Sequence, residues 1–166
     1  MTDETIRQQV LPVAKRINEE VKKAVIGKND IIVKTQLAII AGGHILLDDI
    51  PGVGKTTLAL AFSKAMSLDY KRMQFTPDVL PADVTGFTVY NKQTECFEYK
   101  PGVVTNTHLL LGDEINRTSP KTQASLLEAM AEGQVTVDGN VYTLPQPFIV
   151  IATQNNVGTA GTQLLP

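Results

Sequence analysis

The sequence predicts an α/β fold with a mostly parallel sheet, and three observations carry that prediction. Short apolar runs alternate along the chain with helical patterns, which is the signature of strand–helix–strand units. One such run, Ile45-Leu46-Leu47, leads into a glycine turn, Pro51-Gly-Val-Gly-Lys-Thr-Thr57, and the helical pattern Leu58-Ala-Leu-Ala-Phe62 follows at once. Another, His108-Leu-Leu-Leu-Gly112, is short and ends in the adjacent carboxylates Asp113 and Glu114. A run of that length meeting two acids reads as a buried parallel strand that delivers them to its C-terminal edge. At 166 residues and 43% hydrophobic content, the chain is large enough to bury one core.

Each element follows in order. Residues from about Thr5 to Ala24 form a helical pattern with Val10, Ala14, Ile17 and Val21 near one face. Pro12 inside it predicts a late start or a kink. Asn29 is the expected cap of a second helix through Leu37 and Ile40, stopped by Gly42-Gly43. The first strand, the glycine turn and its helix run to about Met66, and Tyr70 to Phe75 form a further strand. A proline-punctuated stretch, Thr76 to Gly86, precedes two short strands, Phe87 to Tyr90 and Cys96 to Tyr99, around a polar turn. After the acidic strand, Ser119 caps a helix with Pro120 at its first position. Leu126, Leu127 and Met130 supply its apolar face, and Gly133 closes it. Val135 to Val141 folds back about Asp138-Gly139-Asn140 as a second hairpin. Phe148 to Ala152 is the last strand, and Thr153-Gln154-Asn155 is its tip.

Three strand tips carry the chemistry. A strand, a glycine turn, Lys-Thr and a helix together wrap a nucleotide triphosphate. Backbone N–H groups point inward, and the helix N-terminus adds positive potential. Gly52 and Gly54 let the main chain approach the phosphates. Lys55 reaches the β and γ phosphates, and Thr56 ligates magnesium. The usual first glycine of such a loop is Asp49 here. Asp113 is the expected second magnesium ligand, directly or through water, and Glu114 the group that polarises the attacking water. Asn155 is placed to sense the γ-phosphate. An ordinary turn asparagine would look the same, since its amide bonds locally.

Composition narrows the rest. Net charge is −2 with no long run of either sign, so there is no strong electrostatic grip on nucleic acid or membrane. Cys96 is the single cysteine, which forbids an internal disulfide and fits a reducing compartment; it is expected half-buried in a strand. No stretch reaches membrane-spanning length, and the acidic start is not a secretory signal.

With these residues laid out, the chain resembles the MoxR branch of the AAA+ ATPases from Val25-Ile-Gly27 to Gly161-Thr162. The most specific segments are Asp113-Glu-Ile-Asn-Arg117, Lys121-Thr-Gln-Ala-Ser-Leu-Leu-Glu-Ala-Met130 and Ile151-Ala-Thr-Gln-Asn155. Gln74-Phe-Thr-Pro-Asp78 and Asp83-Val-Thr-Gly86 add to them, and Asp49 also occurs in that family's loop. Asn156 departs from the family's usual proline. The resemblance implies an N-terminal helix over 1–24 and an AAA+ core over 25–166. That core is a P-loop three-layer sandwich whose two hairpins are a helix-2 insertion and a pre-sensor hairpin. It places Val25, Ile26 and Gly27 near adenine, and Pro51, Gly52, Val53, Gly54, Lys55, Thr56 and Thr57 around the phosphates. It also puts Asn155 at the sensor-1 position. Because similar proteins continue into an arginine finger and a helical lid, the chain is expected to be an N-terminal part of such a core.

The expected function is therefore magnesium-dependent ATP binding and hydrolysis to ADP by a chaperone-like motor. The resemblance implies a ring, hexameric at full length, acting in the cytoplasm on a client protein, with a von Willebrand factor A domain protein as a frequent partner. A nucleotide-binding fragment without effective turnover is the main alternative. A small-acceptor kinase on the same loop is a third, which the adjacent Glu114 disfavours. No basic stripe supports a DNA-remodelling role.

Overall fold

The computed structural model describes Glu4, residues 6–48, residues 54–154, Thr162 and Leu165. The N-terminal helical pattern splits as Pro12 requires. A π-helical turn, Ile6–Val10, leads into α1, Leu11–Ala24, with proline in its first turn, where no N–H is needed. Then come α2 (Asn29–Ile40), β1 (Ile45–Asp48), α3 (Lys55–Ala65) and β2 (Tyr70–Gln74). A short helix α4 (Pro81–Thr85) opens the hairpin β3 (Gly86–Asn91) and β4 (Cys96–Pro101). The acidic strand β5 (Leu109–Asp113) turns through a 3₁₀ segment, Ile115–Arg117, into α5 (Pro120–Glu132). The second hairpin, β6 (Gln134–Val137) and β7 (Asn140–Thr143), precedes β8 (Ile149–Gln154).

Four strands form one parallel sheet in the order β1-β8-β5-β2. Its two central strands are buried on both faces, so their side chains alternate between two cores. Leu109, Leu111, Ile149 and Ile151 face one way, against Val21 of α1, Ile32 and Ile39 of α2, and Leu58 and Phe62 of α3. Leu110, Val150 and Ala152 face the other way, against Val84 of α4, Leu126 and Ala129 of α5, and Phe75. The result is helix, sheet, helix: the expected three-layer sandwich with two hairpins outside the sheet.

Several local expectations change. Asn29 is the first residue of α2 rather than its cap; Lys28 holds the cap position without a side-chain capping bond to the helix. Cys96 begins β4 as expected but is exposed, because its hairpin pairs two strands only and neither lies in the main sheet. Leu127 is 43% exposed, since the buried stripe of α5 runs through Thr122, Gln123, Leu126 and Ala129. The helix α4 is new. Pro81 starts it, and the Asp83 carboxylate accepts from the N–H of Leu80 at 2.8 Å. Ser119 does cap α5, accepting from the N–H of Thr122 at 3.3 Å.

The hairpins are tied to each other. Tyr99 of β4 stacks on Tyr142 of β7, with ring centroids 3.8 Å apart and planes 13° from parallel. The Thr88 hydroxyl donates to the Asp138 carboxylate at the tip of the second hairpin.

Candidate functional site

The C-terminal edge of the sheet gathers polar side chains. Its last rungs place Asp48 of β1 opposite Gln154 of β8, and Asp113 of β5 opposite Gln74 of β2. With neighbouring strands roughly 4.8 Å apart, Asp113 sits about 10 Å across the sheet from the tip of β1.

Asp113 is only 8% exposed, and a charge so buried needs partners. Its Oδ2 accepts from Arg72 Nε at 2.6 Å, and its Oδ1 accepts from the Thr153 hydroxyl at 3.3 Å. The hydrogen bond to Asp113, then its charge, holds the Arg72 guanidinium above its ordinary pKa. Gly112 makes the strand end possible: a Cβ there would come within 3.0 Å of the Phe75 ring and 3.2 Å of Ile115 Cγ2. Glu114 then leaves the strand at φ 57°, ψ 47°, a left-handed conformation that costs a non-glycine residue roughly 1–2 kcal/mol. Two bonds offset that cost. The Glu114 N–H donates to Thr153 Oγ1 at 2.9 Å, and Glu114 Oε2 accepts from Arg117 Nη1 at 2.8 Å.

The other half of the site lies at the start of α3. Gly54 caps the helix at φ 82°, a backbone conformation open to glycine and strained for other residues. Lys55 is half-buried in the first turn, and Thr56 and Thr57 are exposed beside it. The N–H groups of the first turn and the positive end of the helix face any ligand held here. A cleft of about 300 Å³ opens alongside, lined by Val25, Lys28, Ile31, Leu46, Leu47, Asp48, Gly54, Lys55 and Leu58.

The structure thus brings Val25, Gly54 and Lys55 to one cleft, and Asp113 and Glu114 to one turn on the same sheet edge. It does not bring Ile26 or Gly27 to the cleft. Val25 ends α1 and turns into the core, whereas Ile26 is 86% exposed and Gly27 makes the bend to α2 at φ 76°. Pro51, Gly52, Val53 and Asn155 lie outside the described residues. Four residues were not foreseen from sequence: Lys28 and Ile31 in the cleft wall, and Arg72 and Thr153 on the acids. Thr153 stood two residues before the marked Asn155, but its partners lie 39 and 40 positions away. Nothing in a local pattern reports such a pairing.

Magnesium takes hard oxygen donors, usually one or two from protein and the rest from phosphate and water. The Asp113 carboxylate and the Thr56 hydroxyl match that donor set. Each carboxylate oxygen has two acceptor positions, so the bonds from Arg72 and Thr153 leave Asp113 capacity for a cation. Among the described residues no cluster of three or more His, Cys, Asp or Glu side chains could hold a metal. A cation here would rely on phosphate for its remaining ligands, and the residues fit that arrangement.

Residues 44–166 match the ATPase family associated with various cellular activities (AAA). The chain belongs to this AAA family. Among its relatives it is 50% identical over 160 residues to the uncharacterized protein YeaC of Bacillus subtilis, covering 96% of this chain and 50% of YeaC. It is 37% identical over 147 residues to chaperone MoxR1 of Mycobacterium tuberculosis, covering 89% and 39% respectively. The sequence resemblance to MoxR proteins therefore holds. A crystal structure of a candidate ATPase from Cytophaga hutchinsonii superposes with a TM-score of 0.82 at 41% identity, over 98% of this chain and 50% of that one. This AAA chain spans about half the length of the relatives it matches.

Proposed function

We propose that this protein binds Mg-ATP at the C-terminal edge of its sheet and hydrolyses it to ADP and phosphate. One observation carries the reading: the N-terminus of α3, with Gly54 and Lys55, shares a sheet edge with the Asp113–Glu114 turn. Polyphosphate chemistry needs cations and amides on one side and a carboxylate on the other. In this reading the cleft beside Val25 and Ile31 takes the base. The loop residues Pro51 to Gly54 and the first turn of α3, including Thr57, cradle the phosphates. Lys55 pairs with the β and γ phosphates. Thr56 and Asp113 hold the magnesium ion, which neutralises phosphate charge. Glu114 orients the attacking water and accepts its proton as the bond between the γ-phosphorus and the leaving oxygen breaks. Asn155, which follows β8 in sequence, is assigned the contact to the γ-phosphate.

The wider role follows from kinship. MoxR1 is named a chaperone, and the two coupled hairpins are suited to pass motion to a client protein. Assembly into a ring, a von Willebrand factor A domain partner and a cytoplasmic setting belong to the same proposal. Among the described residues no helix is long and apolar enough to cross a membrane.

The test is hydrolysis by the full gene product with Mg-ATP. Glu114→Gln should lower kcat by about 100-fold or more, while ATP affinity stays within a few fold. Lys55→Ala should instead abolish binding by calorimetry. Undiminished turnover in Glu114→Gln would remove that carboxylate from the chemistry.

A further inference from the structure

Thr153 is 3% exposed at the tip of β8, and both bonds of its hydroxyl go to the acidic turn of the neighbouring strand. Buried strand threonines often satisfy their hydroxyl on nearby backbone. Here the oxygen accepts the Glu114 N–H at 2.9 Å while its proton goes to Asp113 Oδ1 at 3.3 Å. One atom therefore touches both members of the acid pair. The contact with Glu114 falls at its left-handed backbone, where the direction of the carboxylate is set. On its other side Thr153 is registered with Leu47 of β1, a cleft-lining residue just before the phosphate loop. It thus lies between the strand that feeds the loop and the strand that carries the acids.

We propose that Thr153 is a positioning residue for ATP hydrolysis: its single hydroxyl fixes the Asp113 carboxylate and the Glu114 backbone together. The inference rests on the hydrolysis reading above. Without the hydroxyl, the Glu114 N–H loses its acceptor and the strained turn relaxes. Asp113 then keeps only the Arg72 contact among the two named here. Thr153 does not line the cleft beside Lys55, so the direct contacts to base and phosphates stay in place. The defect therefore falls more on turnover than on binding.

The experiment compares Thr153→Val, which removes the hydroxyl and keeps the shape, with Thr153→Ser, which keeps it. Both are made in the full gene product and assayed for Mg-ATP hydrolysis, fluorescent-ADP affinity and melting temperature. Misplacement of a catalytic group by about 1 Å costs on the order of 100-fold, so Thr153→Val should lose about 10- to 100-fold in kcat. ATP KM and ADP affinity should stay within about 3-fold, and Thr153→Ser should recover most of the rate. If valine does not fold, Thr153→Ala, which only deletes atoms, carries the same comparison. Wild-type kcat in the valine or alanine variant overturns the proposal. So does a parallel fall of affinity, melting temperature and rate that serine fails to rescue. A wild type that binds no Mg-ATP refutes the functional reading instead, and this inference with it.

Discussion

The central strands and the hairpin β3–β4 are both short and rich in apolar residues, yet they are built to opposite ends. Every residue of β5 is buried, and Leu109, Leu110, Leu111 and Val150 have no exposed surface at all. In the hairpin, Phe97 is 74% exposed, Tyr90 49% and Phe87 47%. The sheet spends its apolar side chains on two cores and so holds Asp113, Glu114 and Thr153 in place at its rim. The hairpin keeps its aromatics outside, braced by a Tyr90–Phe97 edge contact at 5.3 Å and by the stack on Tyr142. Burial surrounds the acidic turn, and accessible aromatic surface is left to the hairpin.

Four substitutions would break or sharpen that contrast. The largest effect is expected from Ile151→Ala, which empties a fully buried position between β1 and β5. It should cost about 2–5 kcal/mol in chemical denaturation, whereas Phe97→Ala should cost under about 0.5 kcal/mol. Equal losses would mean that the hairpin aromatics are part of the core. An intermediate effect is expected from Tyr142→Ala, which deletes the stack joining the hairpins. Beyond lost area it should cost about 0.5–1.5 kcal/mol, and hydrogen exchange should quicken in both hairpins while β5 and β8 stay protected. Exchange rising in only one hairpin would show that the two are not coupled.

The smallest effect concerns Tyr70 at the start of β2, whose buried hydroxyl has no hydrogen-bond partner among the described residues. Burial, chiefly, raises its pKa above 10.0, with Arg72 opposing and Asp113 adding to the shift. The unfolded chain then loses this proton first as pH climbs. The stabilising contribution is complete below about pH 10 and disappears as pH rises through the folded value. Tyr70→Phe should match or exceed wild-type stability by up to about 1 kcal/mol, and its alkaline decline should be shallower. A large loss at neutral pH would reveal an acceptor for the hydroxyl.

The parts of this architecture that local chemistry controls could be read from sequence. Apolar run length and alternation marked the strands, Ser119-Pro120 and Gly133 marked both ends of α5, and glycine followed by Lys-Thr marked the start of α3. What escaped depends on partners distant in the chain. Arg72 looked like one more strand cation until the parallel pairing of β2 and β5 set it against Asp113. Lys28 and Ile31 line the cleft together with Leu46 and Leu47 of β1, which lie about fifteen or more positions away. Ile26 and Gly27 looked equivalent to Val25, but a bend after α1 sends only one of the three inward. The exposed Cys96 shows the same limit, because an isolated hairpin and a sheet strand share one local pattern.

The strand order β1-β8-β5-β2 also has a consequence for biosynthesis. β1 and β5 do not pair with each other; β8 lies between them, and among the described strands it comes latest in sequence. A nascent polypeptide therefore leaves the ribosome with the glycine loop and the acidic pair already made but unjoined. They meet only when residues 149–154 slot into the gap, closing a loop of about a hundred residues to β1 and one of about forty to β5, at an entropic penalty that grows slowly with length. Such long-range closure is a slow step. The strand that carries Thr153 is the one that joins the two halves of the sheet edge.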